Sequence, residues 1–523
     1  MTTLRTRLAL ALLTIGFFGS VAYVLSRDPP SRDQHVTLRL GHWLMHSGMR
    51  EAFAEAGRRY ELLHPEVRIE QNVVPIRSYP AWLRTQLIGG TAPDIIGMFA
   101  VNAEIINRYF LPLNDVVLQP NPYNVGTPLA GVPWRNTFAD GLESIQNMSA
   151  ATGQIGAITL QLNTYRLFTN VDLLRRVTGQ TTPPETFAAL QALGPLVETY
   201  NATHAVSVTP IAGCGPYLRY VNEQLLASQT QKLAVALSPM RTLKVGNPDL
   251  ALMMLDGRAG LEEPAVQSTF ELLREVTNLM PPGVEQLQRD DALFMFLQGK
   301  AVTFIAGSWD YGVLAANGNF TVAVDPIPIP TPDDPRFGPF VLGPISEAAV
   351  QHEAPMAVFR DSAHPALAID FLQFLSSPEI ATLFSEMSQR TSAVIGVPPP
   401  AGAGNLAPRL EGEPAGLSME LPYFGGRNAF RVMSNHHHLL FGPGGSTAAF
   451  IAGIRADLPP AIRDDVQRHL SNEQKDAQRS DALIGLMLTH PGGVPDTWRE
   501  RIETQHQREG DALRVAREVA ATP

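Results

Sequence analysis

The sequence predicts an α/β protein built on open sheets, and three observations predict it. The first hundred residues alternate strand and helix signals in the order β-α-β-α-β. The chain has 523 residues, too many for one ordinary core, so two or three domains are expected. Its hydrophobic content of 45% against 17% charged residues describes a globular chain.

Each element of that alternation has its own cause. Residues 35–40 (HVTLRL) form a strand candidate, followed by the loop Gly41-His42-Trp43 and a helix patterned by Met49, Phe53, Ala56, Tyr60 and Leu63. Pro65 ends that helix. Val67, Ile69, Gln71 and Val73 then alternate with Arg68, Glu70 and Asn72, the pattern of a half-buried strand. Tyr79, Trp82, Leu83, Gln86 and Leu87 keep a helical period until Gly89-Gly90 stops it, and Asp94 opens a short apolar strand (residues 91–99, TAPDIIGMF). In open α/β sheets ligands bind beyond the carboxyl ends of the strands, which places the loop at residues 99–103 on one wall of a site.

These pieces, in this order, resemble the family 1 extracellular solute-binding proteins of ABC importers, the group that includes maltose-binding protein. The resemblance rests on the strand with its Trp loop, YELLHPEVRIE, and LIGGTAPDII. It continues in LFTNVDLL (residues 167–174), TTPPETFAAL (181–190), FLQGKAVTFIAGSWD (296–310) and AHPALAIDFLQFLSSPEIATLFSE (363–386). It covers residues 36–395. It implies a two-lobed periplasmic-binding-protein fold, type II-like, with hinge crossings; outside the resemblance, the chain beyond Ile462 is charged and helix-like, which predicts a helical C-terminal extension. The expected division is a signal peptide or N-terminal membrane anchor at 1–30, lobe 1 at 36–160 and 343–392, and lobe 2 at 161–342 and 393–523, the last part including the extension.

The resemblance also implies a function. An exported receptor would capture a small polar solute, a sugar or oligosaccharide, by closing its lobes, and would then dock on ABC permease subunits. The candidate ligand-binding residues are Trp43, Phe99, Asn102, Asn163, Tyr217 and Trp309. Trp43, Phe99, Tyr217 and Trp309 would be stacking surfaces, because a sugar ring presents C–H faces that pack on aromatic planes. Asn102 and Asn163 would bond hydroxyls. Gln161 and Thr164 flank Asn163 at the expected cleft mouth. Gly213-Cys214-Gly215-Pro216-Tyr217 resembles the Glu-Pro-Tyr loop of maltose-type receptors, but Gly215 stands where those carry the acid.

Composition narrows the partners. Forty basic against 50 acidic residues give a net charge of −10, without the basic stripe that nucleic acid requires. Arg5 and Arg7 precede an apolar run at residues 8–25, an export signal. Ser20-Val21-Ala22 offers a cleavage site, whereas the uninterrupted run from 21 to 25 favours an uncleaved anchor. Either places the protein in the periplasm or at the cell surface. Cys214 is the sole cysteine, so no lipid-attachment Cys follows the signal and no internal disulfide forms.

No cofactor or metal is expected. The run His436-His437-His438 cannot aim three rings at one point on a helix or strand, and no acid stands at ligand spacing. No G-x-S-x-G, H-E-x-x-H, Walker loop or strand-linked G-x-G-x-x-G is present. The adjacent carboxylates Glu262-Glu263, Asp290-Asp291 and Asp333-Asp334 diverge, unlike glycosidase acids. No catalytic residue is therefore assigned. A membrane-tethered sensor or scaffold that keeps the binding fold is the alternative reading, and an exported carbohydrate-active enzyme a weaker one.

Overall fold

The computed structural model describes residues 35–45, 48–99, 103–144, 147–149, 153–238, 245, 247–348, 351–418, 427–441, 444–489 and 496–521. The expected N-terminal anchor and Asn102 lie outside these residues.

The strands of the two principal sheets are β1 (Val36–His42), β2 (Val67–Val73), β3 (Ile95–Gly97), β4 (Ala157–Asn163), β5 (Tyr165–Asn170), β6 (Thr209–Ala212), β7 (Ala301–Gly307), β8 (Val322–Pro326) and β9 (Gln351–Val358). One sheet has the order β2-β1-β3-β9-β4, with β1 parallel to both neighbours and β9 antiparallel to its own. The other has the order β8-β5-β7-β6, with β6 and β7 parallel and the remaining pairs antiparallel. Each sheet with its helices makes one lobe. Only Thr164 separates β4 from β5, so the chain passes from the first sheet to the second within a single residue.

The helices that matter for the site are α1 (Met49–Leu63), α2 (Tyr79–Gly89), α3 (Gly215–Gln229), α4 (Pro264–Asn278), α5 (Arg289–Leu297), α6 (Tyr311–Asn317), α7 (Pro365–Leu375) and α8 (Pro378–Ser388). They are followed by α9 (Arg427–His436), α10 (Thr447–Ile454), α11 (Leu458–Leu488) and α12 (Asp496–Ala521). On α1 the buried positions Met49, Phe53, Ala56 and Tyr60 form the stripe that the period predicts. Leu63, expected on that stripe, is 60% exposed. On α2 Tyr79, Leu83 and Leu87 are buried, and Gly90 caps the helix at φ 65, a left-handed backbone that glycine adopts without strain. Asp94 locks the next turn: its carboxylate accepts Arg39 N–H at 2.9 Å and the Ser362 hydroxyl at 2.6 Å.

The Pro- and Gly-rich stretch at 120–133 reads in sequence as a surface loop, yet its ends are built into lobe 1. Asn121 donates to Gln373 C=O at 2.7 Å, and fully buried Trp134 donates its indole N–H to Ser376 Oγ at 2.9 Å. Buried polar groups need partners, and the last turn of α7 and its C-cap residue Ser376 supply them.

Lobe 1 buries Leu38, Leu40, Phe53, Ile95, Phe371 and Phe384 in one core. The lobe 2 core combines Leu167, Ile211, Phe270, Val302 and Ile305 with Phe450, Ile454, Ile462, Val466 and Val515 from the C-terminal helices. Among the described residues no single helix is long and apolar enough to cross a membrane.

Candidate functional site

The carboxyl ends of β6 and β7 and the start of β5 lie along one edge of the lobe 2 sheet, and four aromatic rings gather there. Tyr165 opens β5, Tyr217 and Tyr220 sit on α3, and Trp309 follows β7 in a single 3-10 turn. Trp309 meets Tyr165 edge-on at 5.7 Å and Tyr220 at 6.1 Å, while Tyr165 and Tyr220 stack at 4.5 Å. Trp309, Tyr165 and Tyr220 are half-buried. The Trp309 ring folds back over Gly307, where a Cβ would lie 2.3 Å from it, so a residue with a side chain at 307 would displace the indole.

Polar groups brace this wall from beneath. The Trp309 indole N–H donates to Tyr217 Oη at 2.9 Å, and Tyr217 donates to Asp310 Oδ2 at 2.5 Å. Arg289, from the first turn of α5, pairs with the other Asp310 oxygen. Asp310 is fully buried, and burial pushes its carboxyl above the usual range against the pull of Arg289. Burial also raises the Tyr217 phenol well above its ordinary value, so it stays a donor. The Trp309 N–H and Tyr217 hydroxyl are thus both engaged, and the wall presents mainly ring surface.

Of the residues expected from sequence, Tyr217 and Trp309 are brought together here. Tyr217 is 5% exposed and lies under Trp309. Trp43 and Phe99 meet on lobe 1 at 5.1 Å, where Trp43 is 5% exposed, packed on Tyr79 and close against Gly97, while Phe99 is half-buried. His42 shapes that loop: its Nδ1 accepts Leu44 N–H at 3.2 Å and its Nε2 donates to Gln71 at 3.2 Å. Desolvation lowers the His42 pKa to about 4, so the ring stays neutral. The neighbouring Met45 is 54% exposed.

Asn163 ends β4, next to the crossing. Its Oδ1 and the Oε1 of Gln161 are buried without a partner. Gln161 Nε2 donates to Ser388 Oγ at 2.7 Å, and Ser388 donates onward to Phe384 C=O at 2.6 Å, so the Gln161 amide is fixed with its oxygen turned away. A strand turns residues two apart to one face, so Gln161 and Asn163 lie on the same side of β4, each with an unpartnered amide oxygen.

Tyr165 and Tyr220 escaped the sequence reading. Tyr220 stands three residues after Tyr217 on one helix, a spacing that places both on the same side, and Tyr165 directly follows the crossing. Gly215 also has a steric cause. A Cβ there would meet Glu285 C=O at 2.4 Å, so an acid at this position would collide with the backbone before α5. Cys214 is buried, its thiol pushed up to about 11 by desolvation.

Among the described residues no group of three His, Cys, Asp or Glu side chains could hold a metal ion. The three histidines diverge: His436 donates to Val432 C=O, His438 to Asn435 C=O, and His437 packs on Phe441 and Phe450.

A profile described as bacterial extracellular solute-binding protein matches residues 51–403, more than half of the chain. No curated protein matches. Solved structures with the same fold include a binding protein from Streptococcus pneumoniae solved without ligand (14% identity, TM-score 0.55, covering 83% of this chain and 100% of that one). The GacH receptor of Streptomyces glaucescens, solved unliganded and with acarbose, gives 14% identity and a TM-score of 0.55, with 82% and 100% covered. A maltose-bound protein of T. maritima gives 13% identity and 0.55, with 81% and 98% covered. With its two lobes joined through Thr164 and the family profile running from α1 to residue 403, the chain belongs to the bacterial extracellular solute-binding proteins, a family of binding proteins.

Proposed function

We propose that the protein is the exported substrate-binding component of an ABC importer and that it captures a sugar or oligosaccharide by hinge closure of its lobes. The observation that carries this is the braced aromatic wall of Trp309, Tyr165 and Tyr220, in which the Trp309 indole N–H is engaged from behind by Tyr217 while half-buried ring surface is left for a ligand. Sugars combine C–H faces with hydroxyls, and the unpartnered amide oxygens of Asn163 and Gln161 suit the hydroxyls as acceptors. Trp43 and Phe99 on the lobe 1 side, together with Asn102, complete the proposed site. Similar proteins support the class: one is solved with raffinose, and another, from Bacillus licheniformis, with stachyose.

The chain acts at the periplasmic or outer face of the membrane, tethered by residues 8–25 where these are not cleaved, and docks on permease subunits. One observation favours a second reading, a tethered sensor or scaffold. The helices α9 to α12 follow the end of the family match at residue 403.

A thermal-shift screen against maltotriose, raffinose, stachyose, amino acids and polyols tests the proposal. A ligand at a hundred times its Kd should add about 2.7 kcal/mol of stability. A saccharide that shifts the melt and is recovered unchanged supports a receptor. Silence across the panel moves the assignment to the sensor, and turnover of the sugar to an enzyme.

A further inference from the structure

Arg390 is a fully buried arginine that touches both lobes. It follows α8 in lobe 1 through Gln389, which holds a left-handed backbone (φ 55) that residues with a Cβ seldom adopt. Such strain persists only where the surroundings impose it, and here it turns the chain so that Arg390 points inward. One guanidinium nitrogen pairs with Glu353 on β9. Another reaches across to the Trp309 C=O of lobe 2 at 3.5 Å, a long contact for a hydrogen bond. Behind Trp309, the charge of Arg390 acts on Asp310, which is itself paired with Arg289. The signs alternate from Glu353 through Arg390 and Asp310 to Arg289, with Arg390 paired to Glu353 and Asp310 paired to Arg289. The lobes also meet where Gly312 on α6 faces Gln389 and Ser388, at distances that leave an added Cβ in ordinary contact (3.5 and 3.7 Å).

We propose that Arg390 is a positioning residue for ligand capture, a latch that ties the orientation of lobe 1 to the Trp309 wall and thereby sets the balance between open and closed lobes. The inference rests on the receptor reading above. Opening the lobes draws the buried Arg390 charge away from the Trp309 carbonyl, and in a low-dielectric interior that separation is costly. Closing restores that contact while the indole is already aimed. Arg390 itself need not touch the solute.

A single Arg390→Met exchange strands Glu353 without its partner and would destabilise the fold whatever else Arg390 does. The decisive variant is therefore Arg390→Met with Glu353→Leu, in which both charges leave together and the buried pair is replaced by packing. For a latch, this double variant melts close to wild type, binds maltotriose, raffinose or stachyose about tenfold more weakly, and shows a larger ligand-free radius of gyration by small-angle scattering. Arg390→Lys, which keeps the charge but not the fork, recovers part of the affinity. Wild-type affinity and an unchanged radius in the double variant would overturn the latch and leave the receptor reading intact. If wild type binds no saccharide the receptor reading fails, and the scattering still decides the latch: a larger radius supports it, an unchanged one overturns it.

Discussion

Arg166 and Glu347 form a two-bonded ion pair, 2.8 Å on each arm, at the point where three chain segments pass between the lobes. Arg166 is completely buried, and all five of its N–H donors are used. Besides the two to Glu347, they go to the carbonyls of Tyr165, Asn405 and Ala407. Tyr165 follows the first crossing, Glu347 precedes β9, and Asn405 and Ala407 follow the return from lobe 1. One guanidinium thus ties all three segments on the lobe 2 side, and Thr164 is held there as well, its N–H donating to Ser308 Oγ and its hydroxyl to Leu406 C=O.

Arg166→Met should therefore cost about 3–5 kcal/mol, since Glu347 would be left largely buried without its partner. Arg166→Met with Glu347→Leu should recover part of that loss. Urea unfolding of the two single variants and the double variant measures the coupling. Additive losses would show that the pair does not act as a unit.

Trp309→Ala should weaken saccharide binding about thirtyfold or more, as expected for a central aromatic anchor. The sequence alone suggests a melting curve nearly unchanged by this substitution. The bond to Tyr217 and the packing on Tyr165 and Tyr220 revise that: a half-buried indole with an engaged N–H should cost about 2 kcal/mol of stability. Tyr217→Phe separates bracing from stacking. It removes the shared hydroxyl, leaves Asp310 short of a donor, and should cost about 1–3 kcal/mol while keeping an aromatic ring in place. Calorimetric titration and thermal melts on the same variants read both effects, and equal affinity of Trp309→Ala and wild type would remove Trp309 from the site.

What the sequence made legible follows from what has local causes. The strand-helix alternation from 36 to 97 is written in hydrophobic period and in Gly90 and Pro65, and the structure repeats it nearly residue for residue. Trp309 at a strand end was legible because a strand followed by Gly-Ser-Trp leaves few places for the ring to go. The bracing beneath it was not. Asp310, Arg289 and Tyr217 are up to 93 residues apart in sequence, and nothing local to any of them marks the others as partners. Arg166 and Arg390 were equally silent, since an isolated arginine reads as surface until the fold surrounds it with acceptors. Of the helices after 427, only the charged, helix-like stretch beyond Ile462 was legible, and which core they complete depends on tertiary contact alone.

Acidification should weaken the lobe 1 loop that carries Trp43. His42 is buried, with its pKa lowered to about 4 from an ordinary 6.5. Between those values the unfolded chain binds the proton and the folded chain does not, so stability is complete above about pH 6.5 and falls as pH drops toward 4. The loss at full extent is about 3 kcal/mol. His437 shifts in the same direction, so wild type alone would not separate the two. The test is the difference in urea midpoint between wild type and His42→Gln at pH 7.5, 6.0 and 5.0. That difference should shrink as pH falls, and a constant difference would exclude His42 as a source of the pH dependence.

The C-terminal helices should prove inseparable from lobe 2. Phe450 on α10 is fully buried, with its ring 5.0 Å edge-on to Phe270 of α4 and 5.9 Å from His437. Phe450→Ala should cost about 3–5 kcal/mol, the usual loss for an aromatic removed from a closed core. The S. pneumoniae protein is covered in full by 83% of this chain, so the shared fold does not by itself require the whole of it. Here, however, α10 to α12 place Phe450, Ile454, Ile462, Val466 and Val515 in the same cluster as Phe270 and Leu273. A chain ended at residue 418 would expose the α4 face to water and should be recovered mainly as aggregate. Soluble expression of that truncated form with an unshifted melting temperature would show instead that the helices are an appendage to a complete lobe.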